Sequence, residues 1–422
     1  MRASVVSTGE ELVRGRTVDT NAAFLAAQAE GGGFQVRRIV VLGDEPRPLH
    51  DELLRCSSDS DLILLSGGLG PTADDRTRWA VAEAAGLQLE EDADTRAFLA
   101  ARLASFGRDL DETQLTQAQF PAGSVILPNP RGTARGFACR VGPAWLVAMP
   151  GVPDEMRGMF SESVLPFLQQ TLMPGRCVRV ETLHLFPIAE PVADERIRDM
   201  SAADRNPLLG ITTNDGVITL SVSARADDPR TAEALLTRDV DTLRERFGET
   251  VFGSGSDTLA SALARVLAEH GVTIGIAESV TGGLVGHMLV SVPGISRFFL
   301  EDVVAYSNES KIRRLGVEAA LIEDKGAVSP QVAEAMARGI CAATGCDLGV
   351  STTGIAGPDG GSETKPVGLA YVGVALRNGA TSVKLALRGD RRRIRDRAAK
   401  HALNCARLAL LHGVESLGDG RG

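Results

Sequence analysis

Residues 277–283 read AESVTGG, between the apolar run VTIGIA and the segment GLVGHMLVSV. A buried strand therefore runs into a helix through a small, hydroxyl-rich turn with two glycines. Such a turn suits a nucleophile, a phosphate, or a plain change of direction. Ser279 is the candidate nucleophile, but a serine hydroxyl reacts only once a base takes its proton. His287 lies eight residues further on, along the following helix rather than back at the turn. The segment VVAYSNESKIRRLGV offers a better base, since Tyr306 and Lys311 flank a polar turn directly after a strand. A lysine partly removed from water loses its charge more easily and can then accept a proton. Tyr306 could relay or donate one. An ordinary first-turn helix lysine would leave the same trace in composition. A third stretch, STTGIAGPDGG (351–361), puts three hydroxyls and four glycines at a strand end, where backbone N–H groups can approach an anion. Its Pro-Asp-Gly-Gly end is also plain turn chemistry.

A fourth stretch lies far upstream. GGLGPTADDRT (67–77) follows the strand-like DLILLS and loosely matches a dinucleotide fingerprint, with Glu90 or Glu91 at the distance of a ribose contact. The fingerprint belongs on the first strand of its unit, and this is the third. Asp74 and Asp75 open the next helix and would repel a diphosphate unless a cation intervened, so a metal-bridged phosphate fits better than a bare one. Two acids complementing a helix N-terminus explain the same pair.

The elements that must position these residues read as alternating strands and helices. Over residues 1–170, strands at Ala3–Ser7, Gln35–Leu42 and Asp61–Ser66 alternate with helices near Thr20–Glu30, Pro46–Cys56 and after Arg76. AWLVAMPGVPDEMRGMF repeats the strand–loop–helix unit. This alternation implies parallel strands with crossover helices on both faces. Residues 171–252 read as a small α+β module, and GSGS (253–256) as a flexible joint. Beyond Asp257 the rhythm returns, with strands near 272–277, 303–306, 348–352, 369–376 and 381–387 and a closing helix from about Asp390 to Leu411. Three domains are expected: 1–170, 171–252 and 253–422. The fold class is α/β, two three-layer α/β domains joined by a small α+β module.

Composition narrows the function. With 422 residues, 44% hydrophobic and 23% charged, the chain reads as soluble and globular. A net charge of -9 argues against broad nucleic-acid binding, and the basic cluster at 388–397 has acids mixed in. No signal-like N-terminus or run of about 18 apolar residues is present. The six cysteines are scattered without a zinc spacing, as expected of reduced thiols in a cytoplasmic protein.

AESVTGG, VPGIS, VVAYSNESK, GAVS, STTGIAGPDGG and KPVG occur in order across 257–413, and this region resembles the C-terminal domain of CinA proteins, the nicotinamide-nucleotide amidases. The resemblance implies hydrolysis of the carboxamide of nicotinamide mononucleotide to nicotinic acid mononucleotide and ammonia, with no metal or other cofactor. It implies a Ser279 nucleophile, a Lys311 base and a supporting Tyr306. Substrate contacts are expected at Thr281, Gly282, Gly283, Asn308, Thr353, Gly354, Ala356 and Gly357, with the Thr281–Gly283 amides stabilising the oxyanion. The family turn usually carries cysteine where this chain has Val280, which favours oxygen over sulfur as nucleophile.

STGEELVRG, DTNAAFLA, VLGDEP, GGLGPTADDRT, NPRGTARG and MPGVPDEM resemble the CinA N-terminal domain, which is similar to molybdopterin-binding proteins and is associated with metal-dependent ADP-ribose pyrophosphatase activity. This implies phosphate contacts at Gly67, Gly68, Gly70, Thr72 and Thr77 and a divalent metal at Asp74, Asp75 and Asp44. Asp19 and Asn21 are further ligand candidates, and Asn129, Gly132 and Gly151 further substrate contacts. The middle module resembles the family's KH-like domain, but it has no GxxG loop between helices and little basic charge, so no RNA partner is expected. FPIAEPVADERI also departs from the family's usual sequence there. A homodimer is the family expectation. Two rival readings stay open: a non-catalytic N-terminal domain that binds a pterin or nucleotide, and a regulatory protein linked to DNA uptake.

Overall fold

Alternate residues of the first strands enter different cores, which fixes a sheet covered on both faces. Ala3, Val5, Leu62 and Leu64 pack with Ala22, Leu25 and Ala29 of the helix Thr20–Gly31. Val6, Ile63 and Leu65 pack on the other side with Leu49, Leu53 and Cys56 of the helix Pro46–Asp59. Period-2 alternation with both sides apolar is what a doubly covered strand requires. The computed structural model describes residues 1–105, 107–172, 177–202 and 204–417. The chain divides into two compact units, residues 1–180 with 223–235 and residues 181–222 with 236–422.

The first unit holds a six-stranded sheet. Its strands are β1 (Arg2–Thr8), β2 (Gln35–Leu42), β3 (Leu62–Ser66), β4 (Val125–Leu127), β5 (Gly136–Val141) and β6 (Ala144–Met149), in the order β2-β1-β3-β6-β5-β4. The β2-β1-β3-β6 strands are parallel, as the alternation predicts. β5 and β4 then add antiparallel, a correction to the all-parallel expectation. β5 and β6 meet through a tight turn at Gly142, and a loop at 128–135 joins β4 to β5, so no crossover helix announces them.

A four-stranded sheet follows, made of β7 (Cys177–Leu185), β8 (Leu208–Asn214), β9 (Val217–Ala226) and β10 (Val251–Ser254), in the order β8-β9-β7-β10. β10 takes up half of the expected flexible joint: Gly253 and Ser254 pair with His184 and Leu183. Phe186 and Phe252 are buried in one core with Leu259, Leu263, Ile274 and Leu403, so the KH-like segment of this unit is packed, not tethered.

The second unit's main sheet holds β11 (Ile274–Glu278), β12 (Phe299–Val304), β13 (Leu348–Gly354), β14 (Leu369–Leu376) and β15 (Gly379–Ala386), in the order β12-β11-β13-β14-β15. β11 lies inside the sheet, parallel to both neighbours, whereas β14 and β15 are antiparallel additions. The strand expected near 303–306 begins earlier, at Phe299, and Tyr306 falls in the turn after it. Helices Leu259–His270 and Arg391–His412 cover one face, and Pro330–Thr344 the other. No described helix is long and apolar enough to cross a membrane.

Candidate active site

Parallel pairing of β11 with β12 and β13 brings three loops to one edge, because parallel strands all end on the same side. Those loops are AESVTGG, the Tyr306–Lys311 turn and STTGIAGPDGG. Between them lies a cavity of ≈ 290 Å³ lined by Ser279, Tyr306, Asn308, Lys311, Gly354 and Arg391, among others.

Lys311 sits in the first turn of the helix Asn308–Leu315, whose N-terminus is capped by Ser307 accepting from the Ser310 N–H at 3.1 Å. Its side chain turns inward and is 2% exposed. Nζ lies 3.1 Å from Ser279 Oγ, 2.9 Å from the Ala305 carbonyl and 3.2 Å from the Tyr306 carbonyl. Burial holds the Lys311 ammonium below its ordinary pKa, with no carboxylate opposing the shift. A neutral amine has two N–H groups and one lone pair. Two carbonyls accept the two N–H groups, which leaves the lone pair for the Ser279 hydroxyl.

Other residues take places different from those expected. The Tyr306 hydroxyl does not face Lys311; the ring is 62% exposed and its hydroxyl accepts from Arg391 Nη2 at 3.0 Å. Thr281 is fully buried, with Oγ1 2.6 Å from Thr352 Oγ1. The Gly283 N–H donates to Glu278 Oε2 at 2.8 Å, so it is not an oxyanion donor. Gly282 and Gly283, at φ 62° and 90°, shape the turn instead of lining the cavity. The Val280 N–H has no acceptor among the described residues, and Val280 lines the cavity beside Ser279. Its side chain packs with Ala356, Ile394 and Ala398, an apolar seat that valine fills without a thiol. Asn308, Thr353, Gly354, Ala356 and Gly357 all line the cavity, although Thr353 Oγ1 is committed to the Ala327 carbonyl at 2.8 Å.

The sequence reading missed Arg391. It opens the long helix Arg391–His412, lines the cavity, and donates to the Gly357 carbonyl at 2.8 Å as well as to Tyr306. Its signal was present in the mixed-charge run at 388–397, where no periodicity singles out one arginine from its neighbours.

The upstream constellation is assembled differently. Gly67 and Gly68 adopt φ 111° and 64°, and a side chain at Gly68 would overlap Thr77 Oγ1. Thr77 is buried and donates from Oγ1 to the Gly67 carbonyl at 2.9 Å, so it braces the loop and offers nothing to a ligand. Asp75 is occupied by the Thr72 N–H and hydroxyl, and Gly70 packs against the same carboxylate. Asp44 accepts from the Glu10 N–H at 3.1 Å; burial raises its pKa, and the charges of Asp74, Glu11 and Glu10 raise it further. Among the described residues no three acidic, histidine or cysteine side chains are gathered as a ready-made metal-binding group. Asn129 braces Gly132, accepting from its N–H at 3.0 Å and donating to Glu155 at 2.7 Å. Asn21 donates to the Gly151 carbonyl at 2.7 Å. Thr8 Oγ1, at the end of β1, and Asn21 Oδ1 and Asp19 Oδ2, at the start of the helix Thr20–Gly31, are buried without a hydrogen-bond partner among the described residues.

Three segments of the chain match family models: 4–170 the "Probable molybdopterin binding domain", 181–253 the "Damage-inducible protein CinA KH domain" and 256–410 the "CinA C-terminal domain". A relative from Moorella thermoacetica is 39% identical over 403 residues, 96% of this chain and 97% of that one. A CinA-like protein of Dictyoglomus thermophilum is 37% identical over 412 residues, 98% of this chain and 100% of that one. The crystal structure of CinA from Thermoplasma acidophilum matches with a TM-score of 0.36 and 38% identity, over 38% of this chain and 94% of that one. Similarity that runs through all three segments and nearly end to end in the relatives makes this chain a member of the CinA family.

Proposed function

We propose that the C-terminal site hydrolyses the carboxamide of nicotinamide mononucleotide, giving nicotinic acid mononucleotide and ammonia. The observation that carries this reading is the buried Lys311 Nζ, 3.1 Å from Ser279 Oγ and without a counter-charge. Lys311 takes the Ser279 proton as Oγ bonds to the amide carbon, and the pyridinium ring makes that carbon more electrophilic. The Val280 N–H, which has no acceptor among the described residues, donates to the developing oxyanion in this reading. Lys311 returns the proton to the amine, the C–N bond breaks and ammonia leaves. Water, deprotonated by Lys311, then cleaves the ester and frees Ser279. Arg391 uses two of its five N–H groups within the protein and offers the rest to the substrate phosphate.

Replacing Ser279 with alanine tests this. The Ser279→Ala chain should keep its melting temperature and lose ammonia release from nicotinamide mononucleotide; retained turnover would sink the assignment.

A second reading, for the N-terminal domain, rests on the unpartnered Thr8 and Asn21 atoms beside the left-handed Gly67–Gly68 turn. They support a nucleotide-binding site at the strand ends. Pyrophosphatase action on ADP-ribose has less support, because the Asp75 carboxylate is taken up by the Thr72 N–H and hydroxyl. AMP release from ADP-ribose with a divalent cation present would establish it. Binding without AMP release would leave a sensor.

A further inference from the structure

Behind the nucleophile turn lie two carboxyl groups that the mechanism above does not use. Glu278 is the last residue of β11, fully buried, and precedes Ser279. Its Oε2 accepts the Gly283 N–H and its Oε1 the Gly286 N–H, both at 2.8 Å. Glu278 thus clasps the first turn of the helix Leu284–Val290 to the strand end that carries Ser279. With both oxygens accepting, it serves as a carboxylate. Asp302 of β12 pairs in register with Ile276, and Glu278 pairs with Val304, two residues along each strand. The two acids therefore project from the same face of the sheet.

Asp302 Oδ1 is buried without a partner, and Oδ2 lies so close over Gly286 that a side chain there would overlap it. From β11 the group facing Asp302 is Glu278; from the helix it is the Gly286 backbone; no other charge acts on Asp302. A half-buried carboxylate repels a fully buried one beside it, so one of the two holds a proton. Glu278 is committed as an acceptor, which leaves the proton on Asp302.

We propose that Asp302, as a neutral acid donating to Glu278, is a positioning residue that keeps the Glu278 clasp closed and Ser279 within reach of Lys311. This rests on the amidase reading of the site. Burial and the Glu278 charge push the Asp302 carboxyl up to about 8, so the proton is present at neutral pH and lost under mild alkali. Ionisation then sets two negative charges against each other, loosens the Gly283 and Gly286 bonds and moves Ser279. Arg395, which donates to the Thr281 carbonyl at 2.6 Å, holds the turn from its other side and keeps the change local.

The test compares wild type with Asp302→Asn, which donates but cannot ionise, and Asp302→Ala, which does neither. Infrared spectra of the full-length protein should show a buried carboxylic-acid carbonyl band at neutral pH that titrates near 8 and is absent from Asp302→Asn. Labelling of Ser279 by a sulfonyl fluoride, read by mass spectrometry, should fall over the same alkaline range in wild type and stay level in Asp302→Asn. The kcat for nicotinamide mononucleotide should follow the labelling with KM little changed, and Asp302→Ala should lose about 100-fold in kcat at neutral pH. Absence of the band, or an alkaline fall that persists in a folded Asp302→Asn, would overturn the proposal. If wild type hydrolyses no nicotinamide mononucleotide, the amidase reading fails by itself, and band and labelling still decide this one.

Discussion

Replacing Lys311 with methionine separates the chemistry of the buried amine from its effect on the fold. Methionine has nearly the length of lysine and no charge. Lys311 lies 2% exposed, donating to two backbone carbonyls and facing Ser279, with no carboxylate nearby. Loss of the base should cost about 10²–10⁴ in kcat for ammonia release. The fold loses donors to the Ala305 and Tyr306 carbonyls, at about 1–3 kcal/mol for each acceptor left bare, offset in part by removal of a poorly solvated amine. The diagnostic quantity is how this difference varies with pH. The folded-state pKa of Lys311 lies below the unfolded 10.5. Between those two values the unfolded chain binds a proton that the native chain lacks, so the native state gains stability as pH rises. Each pH unit inside that window is worth about 1.4 kcal/mol, and the methionine chain has no such gain. Calorimetry from neutral to alkaline pH should therefore show wild type gaining on Lys311→Met as pH increases. A difference that is flat or falls with pH would mean the amine stays charged in the fold, and would refute its role as base even if activity were lost.

Two further outcomes test the rest of the site. Arg391→Ala should raise KM for nicotinamide mononucleotide by roughly 10–100-fold, the value of charge-assisted hydrogen bonds of about 1.5–3 kcal/mol, and leave turnover of the phosphate-free riboside nearly unchanged; equal losses on both substrates would place Arg391 elsewhere in the mechanism. Gly68→Ala forces a side chain into φ 64° and onto Thr77 Oγ1, so nucleotide binding by the N-terminal domain, read by calorimetric titration, should be lost while ammonia release continues.

Much of the fold was legible because parallel α/β units write a strong pattern. β2 begins and ends where the sequence reading put it, at Gln35 and Leu42, and β3 is the continuous apolar run LILLS. The antiparallel additions β4 and β5 were missed, since these short strands follow one another with no crossover helix to mark them. GSGS looked flexible by composition, yet its first two residues pair with β7, because backbone hydrogen bonding to an open edge does not depend on side chains. Corrections at the site have the same origin. Gly283 and Thr281 were expected to face substrate from the motif they share with the family, whereas their partners, Glu278 and Thr352, lie on β11 and β13. The acids of the Gly67–Thr77 loop were read together as a metal site, but Asp75 turns back onto Thr72 of its own loop.

Local chemistry was therefore set by the sequence: a serine at a strand end, a lysine opening a helix, glycines where the turn needs positive φ. These depend on neighbours a few residues away. Only the tertiary structure decided which groups meet. Parallel pairing of β11 with β12 places Lys311 against a serine 32 residues earlier and strips it of water. The same pairing sets Asp302 beside Glu278, and the helix Arg391–His412 brings Arg391 to the cavity from the far end of the domain. Burial and proximity change proton affinity, and both belong to the packed chain: no spacing in the sequence records how much water a side chain has lost.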